Sequence, residues 1–131
     1  MMAITQTLTN VFKQDCLDGA QNLGNGGDTI KIALYTSDAT LNASTTAYTT
    51  SNEASGTGYT AGGTTLSSQS VTLDTSNGVA FFDAADPSFS SATITARGAL
   101  IYNNSKSNAA IAVLDFGSDF SSSNGTLQCS S

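Results

Sequence analysis

Ten carboxylates face four cations in this 131-residue chain, and no histidine accompanies them. Two carboxylates are the tools of glycoside hydrolysis, one protonating the leaving oxygen while the other assists from the opposite face of the sugar. Glu53 with Asp83 or Asp115 is the pair to nominate, but nothing in their spacing brings them together, and there is no Trp to form a strong sugar platform. The absence of imidazole removes Ser-His-Asp triads, Cys-His dyads and every zinc site that needs histidine. Cys16 and Cys129 form no CxxC, so dithiol redox and four-thiolate metal motifs go too. A single disulfide between them is one reading, but two buried or half-buried free thiols are preferred, because the N-terminus has neither the basic residues nor the apolar stretch of an export signal. Asp18 through Asp28 has the composition of a calcium loop without its alternate ligands and twelfth-position acid, so it reads as a helix end and a turn. Asp83, Asp86 and Asp115 read as solvated turn acids. The sequence thus leads us to expect no catalytic residue, no cofactor and no metal.

The remaining candidates are structural. Tyr35, Tyr48, Tyr59 and Tyr102 could stack on sugar rings, but β structure more often buries a tyrosine with its hydroxyl at the rim. Tyr48, Tyr59 and Tyr102 are therefore expected in the core or at its rim, the first two as anchors of a long connection. Arg97 sits mid-strand among apolar and small neighbours, which suits a partly buried ion pair with Glu53. Such a pair would fix the long connection against the sheet. The alternative is an arginine whose stem packs while its head reaches water.

Composition bears on partners. Charged residues make up 11% of the chain, against about 25% in a typical domain. Ser and Thr together supply 38 residues, and short hydroxyl side chains lose little entropy when another surface is laid on them, which favours a contact surface. Lys13, Lys31, Arg97 and Lys106 are scattered and cannot make the basic stripe that neutralises phosphates, so nucleic acid is not expected as a partner. The net charge of -6 favours solubility. Apolar runs such as Gly98 to Tyr102 and Ala109 to Leu114 are strand-sized, so no membrane association is expected.

The elements that position these groups follow from periodicity. The length suits one domain over 1–131, with a polar arm at 1–6. Leu8, Val11, Phe12, Cys16 and Leu17 are read as the apolar stripe of a helix over about 8–20, with Gln14, Asp15 and Asp18 facing away, Thr7 or Thr9 as its cap and Gly19 as its stop. Gly24-Asn25-Gly26-Gly27 breaks the chain, and Asp28 to Thr36 alternates as a strand with one face in a core. Ser37 to Gly63 is a long excursion rich in small residues, too long to be structureless unless functional or anchored. Thr64 to Asp74 alternates again, with a bulge near Ser68. Asn77-Gly78 predicts a tight type I′ hairpin. Pro87 closes the next strand, and Phe89 to Tyr102 is one long strand or two meeting at Gly98. Asn103 to Asn108 turns, Ala109 to Phe116 is an apolar strand, and Thr126 to Cys129 a last short one. About seven strands and one N-terminal helix predict a mainly β domain, an antiparallel β-sandwich or jelly-roll-like fold.

Four segments, Ile30-Lys-Ile-Ala-Leu-Tyr-Thr36, Asn52-Glu-Ala-Ser-Gly-Thr-Gly-Tyr-Thr-Ala-Gly-Gly63, Thr93-Ile-Thr-Ala-Arg-Gly-Ala-Leu-Ile-Tyr102 and Val113-Leu-Asp-Phe-Gly117, together resemble a family of small proteins encoded in tailed bacteriophages and prophages. The match runs in order from the N-terminal helix to about Gly125. The resemblance implies a virion structural protein without enzymatic role: first a capsid decoration or cement protein on the outer face of the head, second a neck, tail or fibre component contacting host-surface carbohydrate. It implies the major capsid protein and copies of itself as partners, with a homotrimer ranked first because shells offer threefold positions. The chain departs from the family at its end, where a further apolar strand is expected and Leu127-Gln-Cys-Ser-Ser131 stands. A sheet edge left open there could take a strand from a neighbouring subunit.

Overall fold

The computed structural model describes Ile4 and residues 7–19, 23, 27–67, 70–76, 79–83, 88–121 and 125–128. Its body is a mainly β, antiparallel sheet of five strands with one short helix. In chain order the sheet contains β1 (Thr7–Leu8), β2 (Ile30–Tyr35), β3 (Thr64–Thr65), β7 (Thr95–Asn103) and β8 (Ala109–Ser121), arranged β1-β8-β7-β2-β3. The numbers between belong to β4 (Ser70–Asp74) and β5 (Val79–Asp83), which pair with each other, and to β6 (Ser88–Ala92), which pairs with β9 (Gly125–Gln128). Among the described residues no helix is long and apolar enough to cross a membrane.

Helix α1 spans Asn10–Asp18 and lies against β8. Thr9 is its cap: the hydroxyl accepts the Phe12 N–H at 3.3 Å and donates to Ala110 C=O, tying the helix start to the sheet. Gly19 stops it with φ of 71°. The expected stripe needs correction. Val11 and Phe12 are half-buried, but Leu17 is 91% exposed and Asp15 is half-buried instead. At about 100° per residue, Leu17 lies about 190° from the bisector of Val11 and Phe12, and Asp15 lies on their side. Leu8 is not helical at all; it pairs with Ala112 in β1 and is 48% exposed.

Strand β2 alternates as expected, but both of its faces are buried. Ile30, Ile32 and Leu34 join Ala96, Ala99 and Ile111 in one core; Ala33 and Tyr35 join Leu41, Leu100, Tyr102, Ala110 and Val113 in the other. The excursion from Ser37 to Gly63 explains the second core, because it crosses that face from one sheet edge to the other. At the β8 edge, Ala110 N–H donates to Thr46 C=O and Tyr48 N–H to Asn108 C=O. At the β2 edge, Ala54 N–H donates to Leu34 C=O and Thr36 N–H to Asn52 C=O. Ile4 adds to this cover, bridging to Leu41.

Among the described residues there are nine strands where about seven are expected: Thr7–Leu8 adds β1, and Thr64 to Asp74 is not one strand but two, β3 and β4, in different sheets. Three further boundaries differ from expectation. The interruption in the long strand falls at Thr93–Ile94, between β6 and β7, and Gly98 lies within β7 where β8 runs too close for a side chain. The β8 strand continues past Phe116 to Ser121 through a register shift opposite Arg97. In the β4–β5 hairpin Asp74 pairs with Val79, so four residues connect the strands where a type I′ turn would use two. Asn77 and Gly78 themselves lie outside the described residues, as do Gly24 to Gly26, Ser68, Asp86, Pro87, Cys129 and all of the N-terminal arm but Ile4.

Candidate functional site

All four tyrosines of the chain meet where the excursion folds back on the outer edge of β2, and Glu53 is at their centre. The residue sits opposite Tyr35 in an isolated antiparallel bridge, which sets the two side chains side by side on one face. Its Oε1 accepts the Tyr48 hydroxyl at 2.7 Å; its Oε2 accepts the Tyr59 hydroxyl and the Gly62 N–H, the latter at 2.8 Å. A carboxylate taking three donors is well satisfied, and bonds to a charged acceptor are stronger than neutral ones. The three donors come from positions 48, 59 and 62, so the carboxylate gathers the excursion onto itself.

The tyrosines then join it to the sheet. Tyr59 accepts the Leu34 N–H of β2 at 3.0 Å while donating to Glu53. Tyr102, from β7, donates to Gly62 C=O at 2.6 Å, and Tyr35 donates to Thr49 C=O at 2.6 Å. The rings of Tyr48 and Tyr102 stack with centroids 4.8 Å apart and planes 21° from parallel. Burial raises Tyr35, Tyr48, Tyr59 and Tyr102 above the ordinary tyrosine value, and the negative charge of Glu53 raises each further. Every one of these phenols is held neutral and engaged. That chemistry suits fastening: no hydroxyl is driven toward the phenolate that a nucleophile would need.

Glu53, Tyr48, Tyr59 and Tyr102, singled out in the sequence, thus belong to one network. Arg97 does not. Its Nε pairs with Asp115 Oδ1 at 3.3 Å, across β7 and β8, with both side chains about one-third exposed (36% and 30%). The expected Arg97–Glu53 pair is replaced because Glu53 turns to hydroxyl and amide donors at the far edge of β2, while Arg97 finds an acid on the neighbouring strand. Asp115 is accordingly an ion-pair partner rather than a free turn acid.

Sequence reasoning missed two groups. Gly62 contributes both its N–H and its C=O, and no side-chain signal could have marked it. Asn103 is fully buried at the end of β7, donating to Asp28 Oδ2 at 2.8 Å and accepting the Ser105 N–H at 3.0 Å. An Asn closing a strand before Asn-Ser is the available signal for such a side-chain turn. Among the described residues no group of three or more acids or cysteines is placed to hold a metal. Comparison with protein-family models, curated proteins and solved structures gives no match for this chain.

Proposed function

We propose that the chain is a structural protein of a tailed-phage virion, a decoration or cement protein that binds the outside of the assembled head. The observation that carries this is where the four resembling segments go. Ile30 to Thr36 supplies Leu34 and, through its main-chain bridge to Glu53, Tyr35; Asn52 to Gly63 supplies Glu53, Tyr59 and Gly62, and Thr93 to Tyr102 supplies Tyr102. Arg97 and Asp115 then join the third segment to the fourth. The residues carrying the resemblance are the ones that hold one another, as expected of a family whose shared property is a scaffold. An active site would instead need convergent groups left open to a substrate.

A cement protein stabilises a shell by binding its assembled state, through many weak symmetric contacts. The outward positions of the excursion suit such contacts: Ser37, Thr40, Ser44, Thr46, Thr49 and Thr50 are exposed and carry little side-chain entropy to lose. The partners in this reading are the major capsid protein and copies of the chain itself, a homotrimer first; nucleic acid, membrane and cofactors have no part. The two-layer sandwich belongs to the same proposal, with β4–β5 and β6–β9 supplying the second layer.

Labelling intact particles with an antibody to the chain, viewed by electron microscopy, tests the assignment. Label spread over the head is the expected result. Label confined to one vertex or the tail replaces it with a neck, tail or fibre component, and unlabelled particles overturn the virion reading.

A further inference from the structure

We infer that residues 55–63 form a lid over the Glu53 carboxylate, latched by Tyr59 and able to open while the sheet stays folded. Local opening is set by how few buried contacts a segment makes. Ser55, Gly56, Thr57, Gly58, Thr60 and Ala61 are all exposed, and Tyr59 is the lid's one large side chain, half-buried. Gly56, Gly58, Gly62 and Gly63 all take positive φ, a path few other residues could follow, and at Gly56 and Gly63 the chain approaches Thr93 and Ile32 too closely for a side chain, which marks the two places where the lid meets the sheet.

Apart from the packing of the Tyr59 ring against the first core and the single main-chain bridge between Thr57 and Thr93, the lid's ties to the rest of the molecule are side-chain hydrogen bonds. Thr93 N–H donates to Thr57 C=O, Tyr59 links Glu53 to Leu34, and Gly62 is held between Glu53 and Tyr102. On either side of it the chain is fastened by main chain: Ala54 N–H to Leu34 C=O and Leu66 N–H to Ile30 C=O, each 2.8 Å, with Ala54 and Leu66 both buried. Leu34 N–H is different, since on this edge a side-chain hydroxyl satisfies it. Opening the lid bares that N–H and the carboxylate together. The device stands independently of the virion assignment.

Amide hydrogen exchange by NMR on the full chain, at several low urea concentrations, tests this. Leu34 and Gly62 should be protected at least roughly tenfold less than Ala99 and Ile101 inside β7, and their exchange should not respond to urea, the mark of a small opening. Ala54 and Leu66 should exchange with the core. In Tyr59→Phe, Gly62 should exchange at least roughly tenfold faster, although its own acceptor on Glu53 is untouched. Leu34 and Gly62 exchanging with the core amides and with the same urea dependence overturns the lid. Gly62 unchanged in Tyr59→Phe overturns the latch.

Discussion

Glu53→Gln changes one atom of a side chain and should be among the most damaging conservative substitutions in this protein. The carboxylate accepts three donors, and a carboxamide cannot. In its best orientation the amide oxygen takes the two-donor side, keeping Tyr59 and Gly62, and its NH2 then faces the Tyr48 hydroxyl, which must reverse and lose its acceptor. A hydrogen bond to a charged group contributes about 1.5–3 kcal/mol against about 1 for a neutral one, so weakening two and disrupting a third should cost about 3 kcal/mol. For a domain of this size that is a fall in Tm on the order of 10 °C. Urea unfolding followed by far-UV circular dichroism measures it, with an unchanged m-value confirming that the comparison is of stability alone. Tyr59→Phe should rank next, because it also strips the Leu34 N–H of its acceptor, and Tyr48→Phe should be mildest. Stability of Glu53→Gln within about 0.5 kcal/mol of the native protein would refute the reasoning, since a shift that small is typical of surface changes that touch nothing.

Four further outcomes follow from the same geometry. The tyrosines are raised from the ordinary value of 10.0 in the folded state, so their neutral form favours folding: stability from this source is complete below about pH 10 and is lost as pH rises above it. Phenolate absorbance should therefore appear together with unfolding; four independent titrations near the ordinary value, with the fold intact, would contradict the burial. Gly98→Ala should destabilise by about 1–3 kcal/mol, because the added Cβ would lie 2.6 Å from Leu114 C=O and 2.9 Å from the Ile4 side chain; an unchanged melting temperature would count against that approach. Asn103→Ala should cost about 1–3 kcal/mol by chemical denaturation, leaving Asp28 and the Ser105 N–H without their shared partner. Arg97→Ala, at a pair about one-third exposed, should cost no more than about 1 kcal/mol, and a loss twice that size would mean that Arg97 does more than meet Asp115.

Local patterns were legible where the physics is local. A two-residue period marked β2, because alternate side chains on a strand must face opposite ways, and a strand-sized apolar run marked the first part of β8. Thr7 or Thr9 and Gly19 marked the ends of α1, and the structure settles the cap on Thr9; a cap and a positive-φ stop depend on neighbours a few residues away. Counting residues without their angles put Leu17 on the wrong side of that helix. The candidate residues Glu53, Tyr48, Tyr59 and Tyr102 were legible as types: a lone Glu in an uncharged stretch, and tyrosines that β structure tends to bury. Their meeting was not. It requires an excursion from Ser37 to Gly63 to cross one face of the sheet and return along β2, so that Tyr102 approaches Gly62 from 40 positions away. Periodicity reports only which face of an element is apolar, not what will cover it. For the same reason the sequence reads β2 with one buried face and Arg97 as a mate for Glu53, whereas the sheet register sets Asp115 beside the arginine. Partners so distant in the chain are chosen by which route lets every buried donor and acceptor find its match, and that condition exists only once the whole chain is folded.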